Sequence, residues 1–297
     1  MTKVTRYIFM ILGTLSFVLA IAMFPAVLKQ SAFDGSLRFH WSEGWTSLAR
    51  YLEGIANGDS FRYLAGQKEL PFFRQIGSSF LLSLIYLATG AAVGLTMGIA
   101  LGIHFALSRA KGLRRLLDVT GVLPDFVIVL LLQFAIVLLS SATGLLLVQV
   151  ASITADRPAV ALPILSTIIV PSGYMIRNVA LHMSQTLTED YIKAAKARGL
   201  KKRYLIFFHA LPNVLPFIKA DANKFLAILF GNLFIFEYLF NLNGVTAFLF
   251  SNAYTTFKLY QYNLVVNGIL ALLLLYAILF ALVRALLFGW EKVFAHE

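Results

Sequence analysis

From Leu264 to Phe288 the chain carries one charged side chain, Arg284, and is otherwise almost wholly apolar. A stretch of that kind satisfies its own backbone hydrogen bonds only as a helix, and it is long enough to cross a hydrocarbon core about 30 Å thick. Tyr7–Leu28, Ile76–Leu107, Val119–Ser140, Val160–Met183 and Phe217–Phe240 meet the same requirement, which is about 20 predominantly apolar residues. The whole chain of 297 residues is 59% hydrophobic and 13% charged, against about 25% charged in a soluble domain. These features predict an all-α polytopic membrane protein with six transmembrane helices. The first run follows Lys3 and Arg6, as a signal peptide would. It is too long for a signal h-region and no convincing A-x-A site follows, so it reads as a retained anchor.

The formal net charge of +11 would suggest nucleic acid in a soluble protein. Here the basic residues sit in short connections, the pattern that the positive-inside rule produces. The connection 108–117 holds Arg109, Lys111, Arg114 and Arg115 with no acid. The connection 184–215 holds Lys193, Lys196, Arg198, Lys201, Lys202 and Arg203 against Glu189 and Asp190. On the other side, 141–158 offers Arg157 with Asp156, and 241–263 offers Lys258. Both termini are therefore expected in the cytoplasm. The outer segment of about Lys29 to Gln75 contains Trp41, Trp45 and Tyr51, which fit a short helix lying in the outer interface. No cysteine is present, which excludes disulfides and thiol chemistry.

Within the spans, Gly90, Gly94, Gly98 and Gly102 recur every four residues and form a ridge that lets another helix approach closely. Pro163 and Pro171-Ser172-Gly173 interrupt the apolar run of the fourth span and predict a kink near mid-membrane. Ser166, Thr167, Ser172 and Tyr174 then stand as candidates for a polar path. Asp125 and Glu237 lie in or at the edge of apolar spans, where an acid is costly and turns to the bundle interior. Each has two readings, a substrate contact or a satisfied interior hydrogen bond. Asp221 and Lys224 are i, i+3 neighbours and pair on that spacing.

The segment Thr188–Pro212 is the exception to this apolar background. Thr186 and Glu189 have capping-box spacing, Tyr191 to Arg198 reads as helix, and Gly199 with Leu200 fits a Schellman close. A second helix is expected from about Lys202 to Leu211, ended by Pro212. A loop that only touched anionic lipid needs scattered lysines. It needs neither the thin face of Ala194, Ala195 and Ala197 nor the glycine stop, and these describe a shaped surface for a partner protein.

This stretch resembles the EAA loop of bacterial ABC-importer permeases, whose pattern is E-A-A-x-x-x-G, nine residues, then I-x-L-P. The chain has Lys193-Ala194-Ala195, Gly199, and His209-Ala210-Leu211-Pro212. Lysine replaces the leading Glu and histidine the Ile. Asp190 to Leu200 and His209 to Leu211 are similar to the peptide and nickel branch, with D-Y-[IV]-[RK]-x-A-[RK]-A-[RK]-G-L followed by H-A-L. Tyr51-Leu-Glu-Gly with Gly58-Asp59, and Phe236-Glu237-Tyr-Leu-Phe with Asn243-Gly244-Val245, resemble further segments of the first permease subunit of that branch. Arg177 falls where the family places a basic residue, and the usual P-G-D after the first span is missing.

The resemblance implies a type I ABC importer transmembrane domain. Residues 1–75 would form an anchor helix plus an extracytoplasmic segment. Residues 76–297 would form a five-helix permease core with its coupling loop at about 186–213. Asp190, Tyr191, Ala194, Ala195, Ala197, Arg198, Gly199, Leu200, His209, Leu211 and Pro212 would couple to ATPase subunits. Asp125, Ser166, Ser172, Tyr174 and Glu237 would belong to the path for peptides or nickel and other metal chelates. The implied partners are a homologous second permease in a heterodimer, two ABC ATPases, an extracytoplasmic binding protein and the bilayer of the bacterial cytoplasmic membrane. Nucleic acid is not among them. The chain has no G-x-x-x-x-G-K-[ST], so ATP and Mg would be bound by the partner ATPases, with no cofactor, catalytic residue or metal site here. Two rivals remain. One is an intramembrane lipid-modifying enzyme using Asp125 and Glu237, although none of His40, His104, His182, His209 or His296 sits in H-E-x-x-H. The other is a permease-like subunit of a different ABC system.

Overall fold

The structure, a computed structural model, describes residues 3–30, 36–108, 121–145, 148–154, 157–255 and 259–294. The basic connection with Arg109, Lys111, Arg114 and Arg115, together with Asp156, Lys258 and His296, lies outside the described residues. Among the described residues, six helices are long and apolar enough to cross a membrane. The described elements are α1 (Lys3–Val27), β1 (Leu28–Gln30), β2 (Leu37–Phe39), α2 (Trp41–Asn57), β3 (Arg62–Ala65), β4 (Lys68–Pro71), α3 (Phe72–Leu107), α4 (Asp125–Thr143), α5 (Ala161–Thr186), α6 (Asp190–Ala197), α7 (Lys202–Tyr204), α8 (Leu211–Gly231), α9 (Leu233–Leu239), α10 (Val245–Asn252) and α11 (Tyr262–Phe294). The small antiparallel ladders β1–β2 and β3–β4 had no counterpart in the sequence reading, because three- and four-residue strands carry too little periodicity.

The chain forms two compact units. One comprises Met1–Leu81 with Gly244–Leu275, the other Leu82–Asn243 with Tyr276–Glu297. In the first, Gly44 of α2 lies so close to α1 that a Cβ there would meet Val27 at 2.5 Å. Tyr51 is buried, and its hydroxyl donates to Asn267 Oδ1 at 2.9 Å. Asn267 Nδ2 donates in turn to the Ser60 carbonyl at 2.8 Å, and the Ser60 hydroxyl donates to the Tyr51 carbonyl. This closed ring corrects the placement of Tyr51 with the interfacial aromatics. Trp41 and Trp45 are exposed, on the face that Leu52 and Ile55 share at helical spacing.

In the second unit α3, α5 and α8 make the core. In α3, in α5 and in the span Lys202–Leu239 that contains α8, 44% of the most apolar window is buried, against 6% in α4. The glycine ridge faces α5: a Cβ at Gly90 would meet Thr167, at Gly98 Met175 and at Gly102 Val179. The ridge thus lets two helix backbones pack within one chain. Helix α5 runs from Ala161 to Thr186 with Pro171 inside it, so the proline does not end the helix. Proline removes one N–H, and the deprived carbonyl is that of Thr167. Pro163 sits in the first turn, where a missing N–H costs nothing.

Orientation is open to a direct check. The exposed positions Ile153 and Ser251 are expected, as single cysteines in this cysteine-free chain, to react with an impermeant thiol reagent from outside. Lys201→Cys is expected to stay unlabelled until the membrane is opened. Outside labelling at 201 would reverse the assignment.

Candidate functional site

The basic segment folds as a helical hairpin between α5 and α8. Three backbone hydrogen bonds wind the turn after α5: Leu187 N–H to Met183, Thr188 to Gln185 and Glu189 to Thr186. The capping box is not formed, because Thr186 is still the last residue of α5 and Glu189 caps α6 without a side-chain bond. Asp190 instead opens α6 and pairs with Lys193 at 2.8 Å. Its charge also suits the positive helix end.

Gly199 ends α6 at φ +82, the left-handed conformation expected of a helix-terminating glycine. Its N–H donates to the Lys196 carbonyl at 3.0 Å, and the Arg198 N–H donates to Ala194 at 3.2 Å. Ile192 is buried, while Ala194, Ala197 and Arg198 are exposed and Ala195 is half-buried. Helix α6 therefore presents a thin outward face and an apolar inward one. Burial pushes the Tyr191 phenol above its ordinary range; a hydrogen bond with Asn213 opposes this and the Glu189 carboxylate adds to it.

The second arm differs from expectation. It does not stop at Pro212: after α7 the residues Leu205–Ala210 form a π-helical stretch that runs directly into α8. The Leu211 N–H reaches back five residues to the Ile206 carbonyl. Widening the helix here moves the ladder past Pro212, which has no N–H to give and whose ring would press on the carbonyl four residues before it. Leu200 is half-buried, Leu211 fully buried and Pro212 half-buried. The His209 ring meets Tyr204 edge-on at 5.5 Å, and its carbonyl accepts from Asn213 Nδ2 at 2.7 Å.

Below the hairpin, α5 and α8 are joined by a polar cluster. The Tyr174 hydroxyl donates to Asp221 Oδ1 at 3.0 Å, and His182 Nε2 lies 3.2 Å from Oδ2. The His182 ring stacks on Phe217 at 4.8 Å. Lys224 does not pair with Asp221 as the i, i+3 spacing predicted. It sits over the Tyr174 ring, 5.0 Å from its centroid, because both carboxylate oxygens face α5. Sequence reasoning missed the Asp221 cluster. Tyr174 and His182 are eight residues apart, two turns on one face of α5, and that spacing was the available signal.

The other polar candidates are dispersed. Ser166 and Ser172 are buried and donate to carbonyls of their own helix, Leu162 and Ile169, each at 3.0 Å. Asp125 begins α4 and accepts from Asn232 Nδ2 at 2.7 Å. Glu237 is 2% exposed and accepts from the Ser83 hydroxyl at 2.6 Å. The two carboxylates thus have separate partners. Arg177 lays its guanidinium against Gly121, where any Cβ would collide with it.

A bundle with six apolar spans and a two-helix hairpin between α5 and α8 is that of an integral membrane protein. The chain belongs to the family described as binding-protein-dependent transport system inner membrane component, whose pattern matches residues 93–292. It is similar to the dipeptide transport system permease protein DppB of Bacillus subtilis, at 32% identity over 53% of this chain and 50% of that protein. It is also similar to the glutathione transport system permease protein GsiC of Salmonella paratyphi A, at 27% over 66% of this chain and 63% of that protein. The metal-staphylopine import system permease protein CntB of Staphylococcus aureus is 25% identical over 65% of this chain and 60% of its own length. The chain thus spans between half and two thirds of the length of these relatives.

Proposed function

We propose that this chain is one permease subunit of an ATP-driven importer, carrying peptides or metal chelates across the membrane by alternating access. Its partners in this reading are a homologous second permease, two ATPase subunits that bind ATP and Mg, and an extracytoplasmic binding protein. Membership of the family supports the class, and the relatives named for a dipeptide, glutathione and metal-staphylopine support the substrate range. The observation that carries the reading is the α6 hairpin, with its left-handed Gly199 and its outward Ala194 and Ala197.

The hairpin's connections support a mechanical role. On one side α6 follows α5 after a wound turn of three residues; on the other, α7 and the π-helical stretch continue without a break into α8. Neither the turn after α5 nor the run from α7 into α8 leaves a slack loop between the hairpin and its two spans. Asp221 then holds α5 to α8 through Tyr174 and His182, so both helices follow the hairpin as one lever. Closure of the ATPases on nucleotide would push that lever and tilt the bundle around the path. Asp125, Ser166, Ser172, Tyr174 and Glu237 stay the candidates for residues that feel this tilt.

The test is a cysteine at Ala197 in the complete complex. It is expected to crosslink to an ATPase subunit, with a yield that changes between nucleotide-free and ATP-bound states. A complex with intact ATPases that gives no crosslink at any state would refute the docking of α6.

A further inference from the structure

Beneath α6, on the side away from the exposed alanines, lies a cavity of about 280 Å³. Its walls are Leu107 at the end of α3, Leu187 just after α5, Ile192 of α6, Leu200 after Gly199, and Leu205 and Ile206 of the π-helical stretch. All six are aliphatic. Lys196 and Lys202 border it, both exposed and neither with a carboxylate partner among the described residues. An apolar slot between the ends of membrane-crossing helices, edged by two free ammonium groups, has the chemistry of an anionic amphiphile. Its place selects the source: the slot lies at the ends of two membrane-crossing helices, α3 and α5, where an acidic phospholipid supplies both the acyl chain and the phosphate that these walls would take.

We propose that this slot holds an acidic phospholipid of the adjoining leaflet, with its phosphate between Lys196 and Lys202 and the start of an acyl chain against Leu187 and Leu205. Basic pockets between the ends of membrane helices recognise anionic headgroups in this way. Helix α6 keeps the two functions apart. Ile192 and Lys196, one turn apart, look into the slot, while Ala194 and Ala197 look outward. A lipid seated there would brace the hairpin from below without competing with a protein on its outer face. The proposal rests on the membrane placement of the chain and is independent of the importer reading, so it is tested on the chain in a bilayer whether or not ATPases are bound.

The experiment reconstitutes the full chain in phosphatidylcholine nanodiscs with a trace of photoactivatable phosphatidylglycerol or photoactivatable phosphatidylcholine, then maps the labelled peptides. The phosphatidylglycerol probe is expected to label the segment from Leu187 to Ile206, and the phosphatidylcholine probe to leave it unlabelled. Replacing Lys196 or Lys202 by glutamine should weaken labelling by about fivefold for each ammonium removed. Leu187→Trp, which fills the slot and keeps both lysines, should also abolish it, and labelling elsewhere on the chain should be unchanged in every variant. Equal labelling by both probes, labelling that survives loss of both lysines, or no labelling of this segment would each overturn the proposal. Competition by free glycerol phosphate would assign the site to a soluble phosphate instead. Loss of labelling on adding the ATPase subunits would assign the slot to a partner's side chain.

Discussion

Gly199→Val is expected to leave all six helices inserted while cutting ATP-driven uptake by at least about tenfold, the effect of a misfit of roughly 1.4 kcal/mol. The backbone at this position stands at φ +82, where a β-branched residue is strained by on the order of 1–2 kcal/mol or more. Nothing crowds the position, as an added Cβ would meet no atom within 4 Å. The penalty is therefore conformational, and it is relieved only by unwinding the end of α6. That movement displaces Ala194, Ala197 and Arg198 from their places on the outward face. Gly199→Asn is the control, because asparagine tolerates the left-handed region and should retain most of the uptake. Ala194→Trp should reproduce the valine defect without backbone strain, by holding the partner surface away. The measurement is uptake and ATP hydrolysis by the complete transporter in proteoliposomes. Equal uptake by the valine and asparagine variants would remove the hairpin from the coupling path.

The second large effect lies in the core. Gly98→Ala should destabilise the bundle by about 1–3 kcal/mol, the usual cost of overpacking, and Gly98→Leu should leave little folded protein. A Cβ at Gly98 would stand 2.5 Å from the Cβ of Met175, an atom close to its backbone that cannot swing aside. Gly102 faces the Cβ of Val179 at 2.6 Å and should behave likewise. Gly94 is the internal comparison. Its nearest neighbour is the Ile168 carbonyl at 3.3 Å, a contact that a shift of a few tenths of an ångström relieves, so Gly94→Ala should stay within about 1 kcal/mol of the parent. Thermal unfolding of detergent-purified variants reads the difference. Equal stability of the Gly94 and Gly98 alanine variants would show that the α3–α5 contact is looser than described.

The sequence reading placed the ridge but could not tell its four glycines apart. Their repeat is a property of one helix, whereas the severity at each depends on which side chain of α5 stands opposite. The same holds for Asp221. Spacing on its own helix predicted Lys224 as partner, yet the packing of α8 on α5 gave the carboxylate to Tyr174 and His182. The end of the hairpin was misread for a related reason. Pro212 is a helix stop when only neighbours along the chain are counted. In a segment that must carry on into a buried span, the backbone accommodated it with a π-helical stretch instead.

Local chemistry therefore determined the class of protein, the six spans, the hairpin and the conformation of Gly199. Each follows from transfer out of water or from the steric limits of one residue, and neither needs a partner in space. Tertiary structure alone decided which apolar residues of each span are buried, because lipid solvates apolar side chains as well as a protein core does. Hydropathy even runs against burial here. The α4 span averages 2.4 with 6% of its apolar window buried, whereas the α5 span averages 1.3 with 44% buried. In a membrane it is the polar groups that must turn inward, so Ser166, Thr167, Ser172 and Glu237 mark the interior that an excess of leucine marks in a soluble protein.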